Sequence, residues 1–326
     1  VMFPIRRRGL LKCTAAGACV LATHALAAQA WPTKTVRIIV PFAPGGGADS
    51  SARVLGDLLA PRLGHAVIVE NKPGAGSAIG VVAAAQARDG HTLLMASNSM
   101  VINPSLTPQI GYDPVRDFDA VGMVSEQPLV LVVPASSAAR SLQDLLALAK
   151  AKGGLTAGNS GNGTLAHIAS EIFAGQAGLQ ITPVAYKGES ALLPEMISGL
   201  VDFGFLNLPS VAPHLKSGRL RALAVSSPQP VPDLPGVPTL RSLNYPALEV
   251  QGWAALLAPK GTIPAEGLNR LSTLLMDALA SETVKTRFAA LAVSPVVMNR
   301  QASGKFLEAE AARYAGVIKA RGIKAG

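Results

Sequence analysis

Apolar positions along this chain follow two alternating periods. Val36-Arg37-Ile38-Ile39-Val40-Pro41-Phe42 is a β-branched run that reads as a buried strand, and Pro44-Gly45-Gly46-Gly47 ends it. Behind the break, Ala52, Leu55, Leu59 and Leu63 recur at helical spacing, with Asp49 placed as a helix cap. A strand over 66–70, a glycine-rich turn, a helix over 78–87 and a strand over 92–95 follow. The pattern restarts in mid-chain. Pro128-Leu129-Val130-Leu131-Val132-Val133-Pro134 reads as a strand, 142–150 as a helix and 155–159 as a strand. Ser160-Gly161-Asn162-Gly163 is then a tight loop and 164–174 a helix. Further units run through Tyr186, Phe203 and Val225. The proline-rich run from Pro228 to Pro235 fits neither a helix interior nor a central strand, and is expected to be a surface loop. A strand over 248–258 follows it. Pro264 then starts a helix with a Leu268, Leu271, Leu275, Leu279 stripe, and a last helix runs from about 303 to 321.

Short strands alternating with helices predict an α/β protein with parallel strands covered on both faces. Two longer strands, 128–134 and 248–258, bracket the middle third and are expected to cross between two lobes. Lobe one would comprise 31–132 plus 254–326, and lobe two 133–253. Two α/β lobes on a two-strand hinge form a clamp with a ligand cleft between them.

The first thirty residues break this pattern. Arg6-Arg7-Arg8 and Lys12 precede a small, apolar run that ends in Ala28-Gln29-Ala30, the layout of a cleavable secretory signal. The run is too short and too often interrupted for a span of ~20 apolar residues. Arg7-Arg8-Gly9-Leu10-Leu11-Lys12 fits a twin-arginine motif as well as an arginine-rich general-secretion signal. A lipoprotein cleaved before Cys19 is disfavoured, because no branched residue stands three places earlier. The expected location is the periplasm, which weighs against chemistry fed by ATP or NADH. Cys13 and Cys19 would leave with the signal, so the domain would have no disulfide. Of the net charge of +9, four positive charges lie in this segment, leaving +5 for the remainder. With only 4% aromatic residues and scattered basic ones, a nucleic-acid surface is not expected. A mild positive field favours anions.

The two glycine loops, Pro44–Gly47 and Ser160–Gly163, are the candidate site. Each follows a strand and opens a helix, where unpaired N–H groups and the dipole attract anions without a cationic side chain. Plain turns are the alternative. Gly74-Ala75-Gly76-Ser77-Ala78-Ile79-Gly80 resembles a dinucleotide fingerprint. Its spacing is one residue too long and no acid follows at the ribose position, so no cofactor is expected. Gly158-Asn159-Ser160-Gly161-Asn162 fails the nucleophile elbow, leaving a secreted hydrolase little support. His65, His91, His167 and His214 have no metal-ligand spacing, and no metal is expected. His167 could face a ligand or be an ordinary helix residue, and Tyr186-Lys187-Gly188 could be a rim contact or a turn.

The chain resembles the extracytoplasmic solute receptors of the tripartite tricarboxylate transporter group, the Bug receptors. The resemblance lies in Val40–Gly46, Val69–Gly76, Ile102–Leu106, Tyr112–Phe118, Ser160–Thr164, Tyr186–Gly188 and Asn207–Ser210, in order along the chain. It implies a type II periplasmic-binding-protein-like fold and no reaction. It also implies a small organic anion, often a carboxylate, held through backbone amides and water. A monomer is expected, handing its ligand to membrane permease subunits or, alternatively, to a sensor kinase. Carried onto this chain, lobe one supplies Phe42, Ala43, Pro44, Gly45, Gly46, Gly47, Ala48 and Asp49, with Ser97 and Asn98. Lobe two supplies Ser160, Gly161, Asn162, Gly163, Thr164, His167, Tyr186, Lys187 and Gly188, with Asn207 beside Leu206. Ala48 replaces a common threonine, Ser77-Ala78 a common Gly-Asn, and Leu206 a common aspartate. If position 206 faces the ligand, an ammonium acceptor is lost and a plain or aromatic carboxylate is favoured over an amino acid.

Overall fold

The computed structural model describes residues 31–324. The signal reading of 1–30 lies outside them. The first three strands are β1 (Val36–Val40), β2 (Val67–Asn71) and β3 (Thr92–Ser97), each leading to a helix: α1 (Gly47–Leu63), α2 (Ala78–Ala85) and α3 (Asn98–Leu106). The long β4 (Phe118–Pro134) and α4 (Leu142–Lys152) follow. A second set repeats the first: β5 (Leu155–Asn159) and α5 (Leu165–Ala177), β6 (Ile181–Ala185) and α6 (Glu189–Ser198), β7 (Phe203–Asn207) and α7 (Leu208–Lys216). The chain closes with β8 (Leu220–Val225), β9 (Gln251–Pro259), α8 (Ala265–Ala280), α9 (Glu282–Ala290), β10 (Ser294–Pro295) and α10 (Arg300–Arg321).

These strands join in the order β2-β1-β3-β9-β4-β7-β5-β6, with β8 and β10 also paired to β4. In each set the first strand lies between the other two, and all pairs within a set are parallel. β4 connects the sets. Phe118 to Pro128 pairs antiparallel with β9, whereas Leu129 onward pairs with β7 and β8. The crossing therefore lies at Pro128-Leu129, with Gln251 opposite Pro128. β4 begins ten residues before the strand expected at 128, because two register shifts, at Ala120/Gly122 and Met123/Ser125, break its alternation.

The run Ile38-Ile39-Val40 is apolar throughout because β1 is covered on both faces. Ile38 and Val40 pack with Leu55 and Leu59 of α1 and with Leu271 and Leu275 of α8. Ile39 faces a second cluster with Val81, Ile102 and Tyr314, which continues past β4 to Phe173 and Phe205. Phe173 meets Phe203 and Phe205 edge-on at 5.9 and 5.8 Å. Each such fully buried ring or aliphatic side chain contributes about 1.5–3 kcal/mol. The Leu268, Leu271, Leu275 and Leu279 stripe is buried as its period predicts.

Candidate functional site

Strands of the two parallel sets end toward one gap, and the helices after them begin there. Five of those helices direct their N-terminal ends at a single cavity of about 90 Å³. Its walls include the N-cap residues Gly46 of α1, Ser97 of α3, Thr164 of α5, Gly188 of α6 and Asn207 of α7. First-turn N–H groups have no intrahelical acceptor, and each helix N-terminus carries roughly half a positive charge. Among the described residues, no Lys, Arg or His lines the cavity.

The α1 end is shaped by Asp49, which the sequence suggested as the cap. Asp49 instead lies in the first turn, behind Gly46, and its carboxylate accepts the Gly45 N–H at 3.0 Å. It also takes Arg53 at 2.9 and 3.1 Å and Asn71 at 3.0 Å, and is only 3% exposed. Burial alone would raise this carboxyl; the bonds from Arg53, Gly45 and Asn71 outweigh it and hold Asp49 below the usual aspartate range. At α5, Thr164 Oγ1 caps the helix by accepting the His167 N–H at 3.4 Å, and Thr164 donates to the Gly161 carbonyl at 2.7 Å.

Of the residues expected from the sequence, Phe42, Ala43, Gly46, Gly47, Ala48, Asp49, Ser97, Asn98, Ser160, Thr164, Gly188 and Asn207 line this cavity. Asn98 also clamps β9, donating to the Gln251 carbonyl at 3.1 Å and accepting the Trp253 N–H at 3.0 Å. Pro44 and Gly45 do not line it, and Gly45 is engaged by Asp49. Gly161, Asn162, Gly163, Tyr186 and Lys187 line an adjoining pocket. There Tyr186 Oη donates to Glu195 at 2.5 Å, and burial and the Glu195 carboxylate push the phenol up to about 12.

Two expected residues turn away from the cavity. His167 is 1% exposed, and its Nδ1 accepts the Gly163 N–H at 3.2 Å. Its Nε2 points toward Glu171, 3.8 Å away, and burial lowers its pKa, keeping the ring neutral as that acceptor role requires. Nδ1 is thus committed to the loop backbone, and His167 does not line the cavity. Leu206 is fully buried among Val130, Leu192, Val211 and Val225, because β7 alternates and Leu206 faces the α6–α7 layer. The argument against an ammonium that rested on Leu206 therefore falls away.

Sequence reasoning missed Ser99, Gln127, Leu165, Ala166, Glu189, Ser190, Gly252, Trp253 and Ala254, all on the cavity wall. Leu165 and Ala166 follow the predicted start of the 164–174 helix and were within reach of the same argument, whereas Ser99 and Ser190 open helices that the sequence reading did not place. Gln127 and the β9 residues arrive through topology, and Glu189 looks like an ordinary first-turn acid.

The halves meet beside the cavity at glycines. Within the N-terminal set the Asn103 side chain donates to the Gly76 carbonyl at 2.7 Å, and both residues face the 161–163 loop. A Cβ on Gly76 would lie 1.9 Å from the Asn162 carbonyl oxygen, and one on Gly163 would lie 1.7 Å from Asn103 Oδ1. Both glycines have positive φ, +58° and +77°.

Two parallel-stranded sets around a cavity of helix N-termini define a periplasmic-binding-protein type of solute receptor. Residues 51–323 match the model of the tripartite tricarboxylate transporter family receptor, and the chain belongs to that family. It is 38% identical to Protein BugT of Bordetella pertussis over 92% of this chain and 93% of that protein. A solved periplasmic transporter is 34% identical with a TM-score of 0.87, covering 91% of this chain and all of that one. R. palustris Rpa4515, solved with adipate, is 31% identical with a TM-score of 0.86, covering 90% and 99%. The α/β fold expected from the sequence is that of these proteins. The family is one of transporter receptors, and a further structural relative is the periplasmic binding protein BugD, 28% identical with a TM-score of 0.85.

Proposed function

We propose that this chain is an exported periplasmic receptor that captures a small carboxylate and delivers it to the membrane subunits of a tripartite transporter. The observation that carries this reading is the convergence of five helix N-termini on one cavity without a basic side chain. Such a site neutralises an anion with backbone dipoles and N–H groups. The relative solved with adipate supports a carboxylate as the ligand class. We take the two lobes as 31–128 plus 251–326 and 129–250, hinged on β4 and β9 with the ligand between them; the change of strand partner at Pro128-Leu129 supports this division over the one expected at 132/133. The contacts are first-turn amides of α1, α3 and α5 with the Ser160 hydroxyl, since the Thr164 and Ser97 protons are already given to the Gly161 carbonyl and to Ser99.

A thermal-shift panel on protein unfolded and refolded to strip bound ligand tests this reading. Mono-, di- and tricarboxylates, aromatic acids, amino acids and neutral sugars form the panel. An acid at 100 times its Kd is expected to add about 2.7 kcal/mol of stability. A shift from a neutral sugar with none from any acid would overturn the reading.

A further inference from the structure

The cavity is not uniformly attractive to anions. The first turns of α3, α5 and α7 carry no acid, whereas Glu189 opens α6 and lies on the cavity wall. Glu189 is 8% exposed, and its Oε1 accepts both the backbone N–H and the side-chain amide of Asn207, each at 2.9 Å. A carboxyl oxygen in this role only accepts, so the Asn207 side chain is fixed with Nδ2 toward Glu189. Asn207 Oδ1 then faces Gln127 and accepts from its Nε2 at 3.4 Å. That fixes the Gln127 amide in turn and leaves its Oε1 as the end of the chain. Gln127 lines the cavity, and its Oε1 is buried with no hydrogen-bond partner. Gly252 seals the back of this chain: a Cβ there would lie 2.7 Å from Asn207 Oδ1 and 3.1 Å from Gln127 Nε2.

We propose that the Glu189–Asn207–Gln127 chain forms an acceptor wall that selects a carboxylate also bearing a hydrogen-bond donor, a hydroxyl or an amine, over a dicarboxylate. The inference rests on the carboxylate reading above. The acid group sits at the α3 and α5 N-termini, and the donor end satisfies Gln127 Oε1. A second carboxylate has no proton to give Gln127 Oε1 and would leave that oxygen unpaired, whatever it accepts from the remaining Nε2 N–H. Glu189 and Asn207 are positioning residues; Gln127 makes the contact. The direction of the chain holds whether Glu189 is ionised or neutral, because Oε1 accepts in both states.

Isothermal titration of refolded protein with four matched acids tests this: butyrate, 4-hydroxybutyrate, 4-aminobutyrate and succinate. One unpaired buried polar group is expected to separate the hydroxy or amino acid from succinate by about 10- to 100-fold in Kd. A preference confined to 4-aminobutyrate assigns the donor to an amine, and one confined to 4-hydroxybutyrate assigns it to a hydroxyl. Gln127→Leu is expected to bring the ratio of Kd values within about threefold. Because the readout is a ratio between ligands, a general loss of packing does not mimic it. Gln127→Met serves the same purpose should the leucine variant fail to fold. Succinate binding as tightly as the donor-bearing acids to the wild type overturns the acceptor wall while leaving the carboxylate reading intact. A ratio that persists in the Gln127 variant also overturns it. Binding of none of the four, with none of the broader acid panel active, overturns the carboxylate reading and this inference together.

Discussion

The loops that open α1 and α5 share one grammar, strand then glycines then helix, yet are held by opposite means. The β1–α1 loop is tied by charge: Asp49 gathers the Gly45 amide, Arg53 and Asn71 behind the helix start. The β5–α5 loop is tied by neutral groups, with Thr164 and His167 bonding the loop backbone and no acid in the first turn. The α1 dipole thus shares its positive end with a resident carboxylate, while the first turn of α5 holds none. Equivalent positions in a repeated fold are therefore not equivalent electrostatically.

The comparison can be broken most severely where the two halves touch. Gly76→Ala places a methyl against the Asn162 carbonyl and wedges the halves apart. Overpacking of this kind costs about 1–3 kcal/mol, so ligand affinity is expected to fall roughly 10- to 100-fold by titration calorimetry. Wild-type affinity in this variant would mean that the glycine contact is not needed to hold ligand.

Asp49→Ala removes the charged tie and leaves the Gly45 and Asn71 donors without their acceptor. A loss of about 1–3 kcal/mol at pH 7 is expected from denaturant unfolding. The folded pKa of Asp49 lies below its unfolded value, ~3.9, so its contribution is full above that value. It is lost as pH falls through the lower folded pKa. The gap between wild type and variant should therefore narrow toward pH 2; a constant gap would place the effect in packing rather than charge.

Thr164→Ala tests the neutral tie, and loss of this cap is expected to cost about 1 kcal/mol. Unlike Asp49→Ala, the difference should not vary between pH 3 and 5. Arg53→Ala should have the smallest effect, about 0–1 kcal/mol, since the guanidinium is 52% exposed. A larger loss from Arg53 than from Asp49 would reverse the assignment of the carboxylate as the organising group.

Local pattern made much of this fold legible. Strand and helix periods located β1, β5, α5 and the α8 stripe because burial there follows the element's own repeat. The first part of β4 was hidden by its two register shifts and by Asp119 and Glu126, which interrupt the apolar run. The glycine loops could be found because helix starts carry local signatures, and Asn207 through the family resemblance alone. Gln127 and Gly252 could not, since each reaches the cavity only through the antiparallel pairing of β4 with β9. Leu206 misled because neighbours along a strand face opposite ways, and only the register says which way each faces.

The same pairing governs the order of assembly. β3 and the first part of β4 share β9 as a neighbour, and β9 is Gln251–Pro259. Until those residues emerge, the N-terminal set of strands has no partner along that edge. Contacts so distant in sequence carry a high loop-closure cost and slow folding. Completion of the N-terminal set is therefore expected only after Gln251–Pro259 have been made.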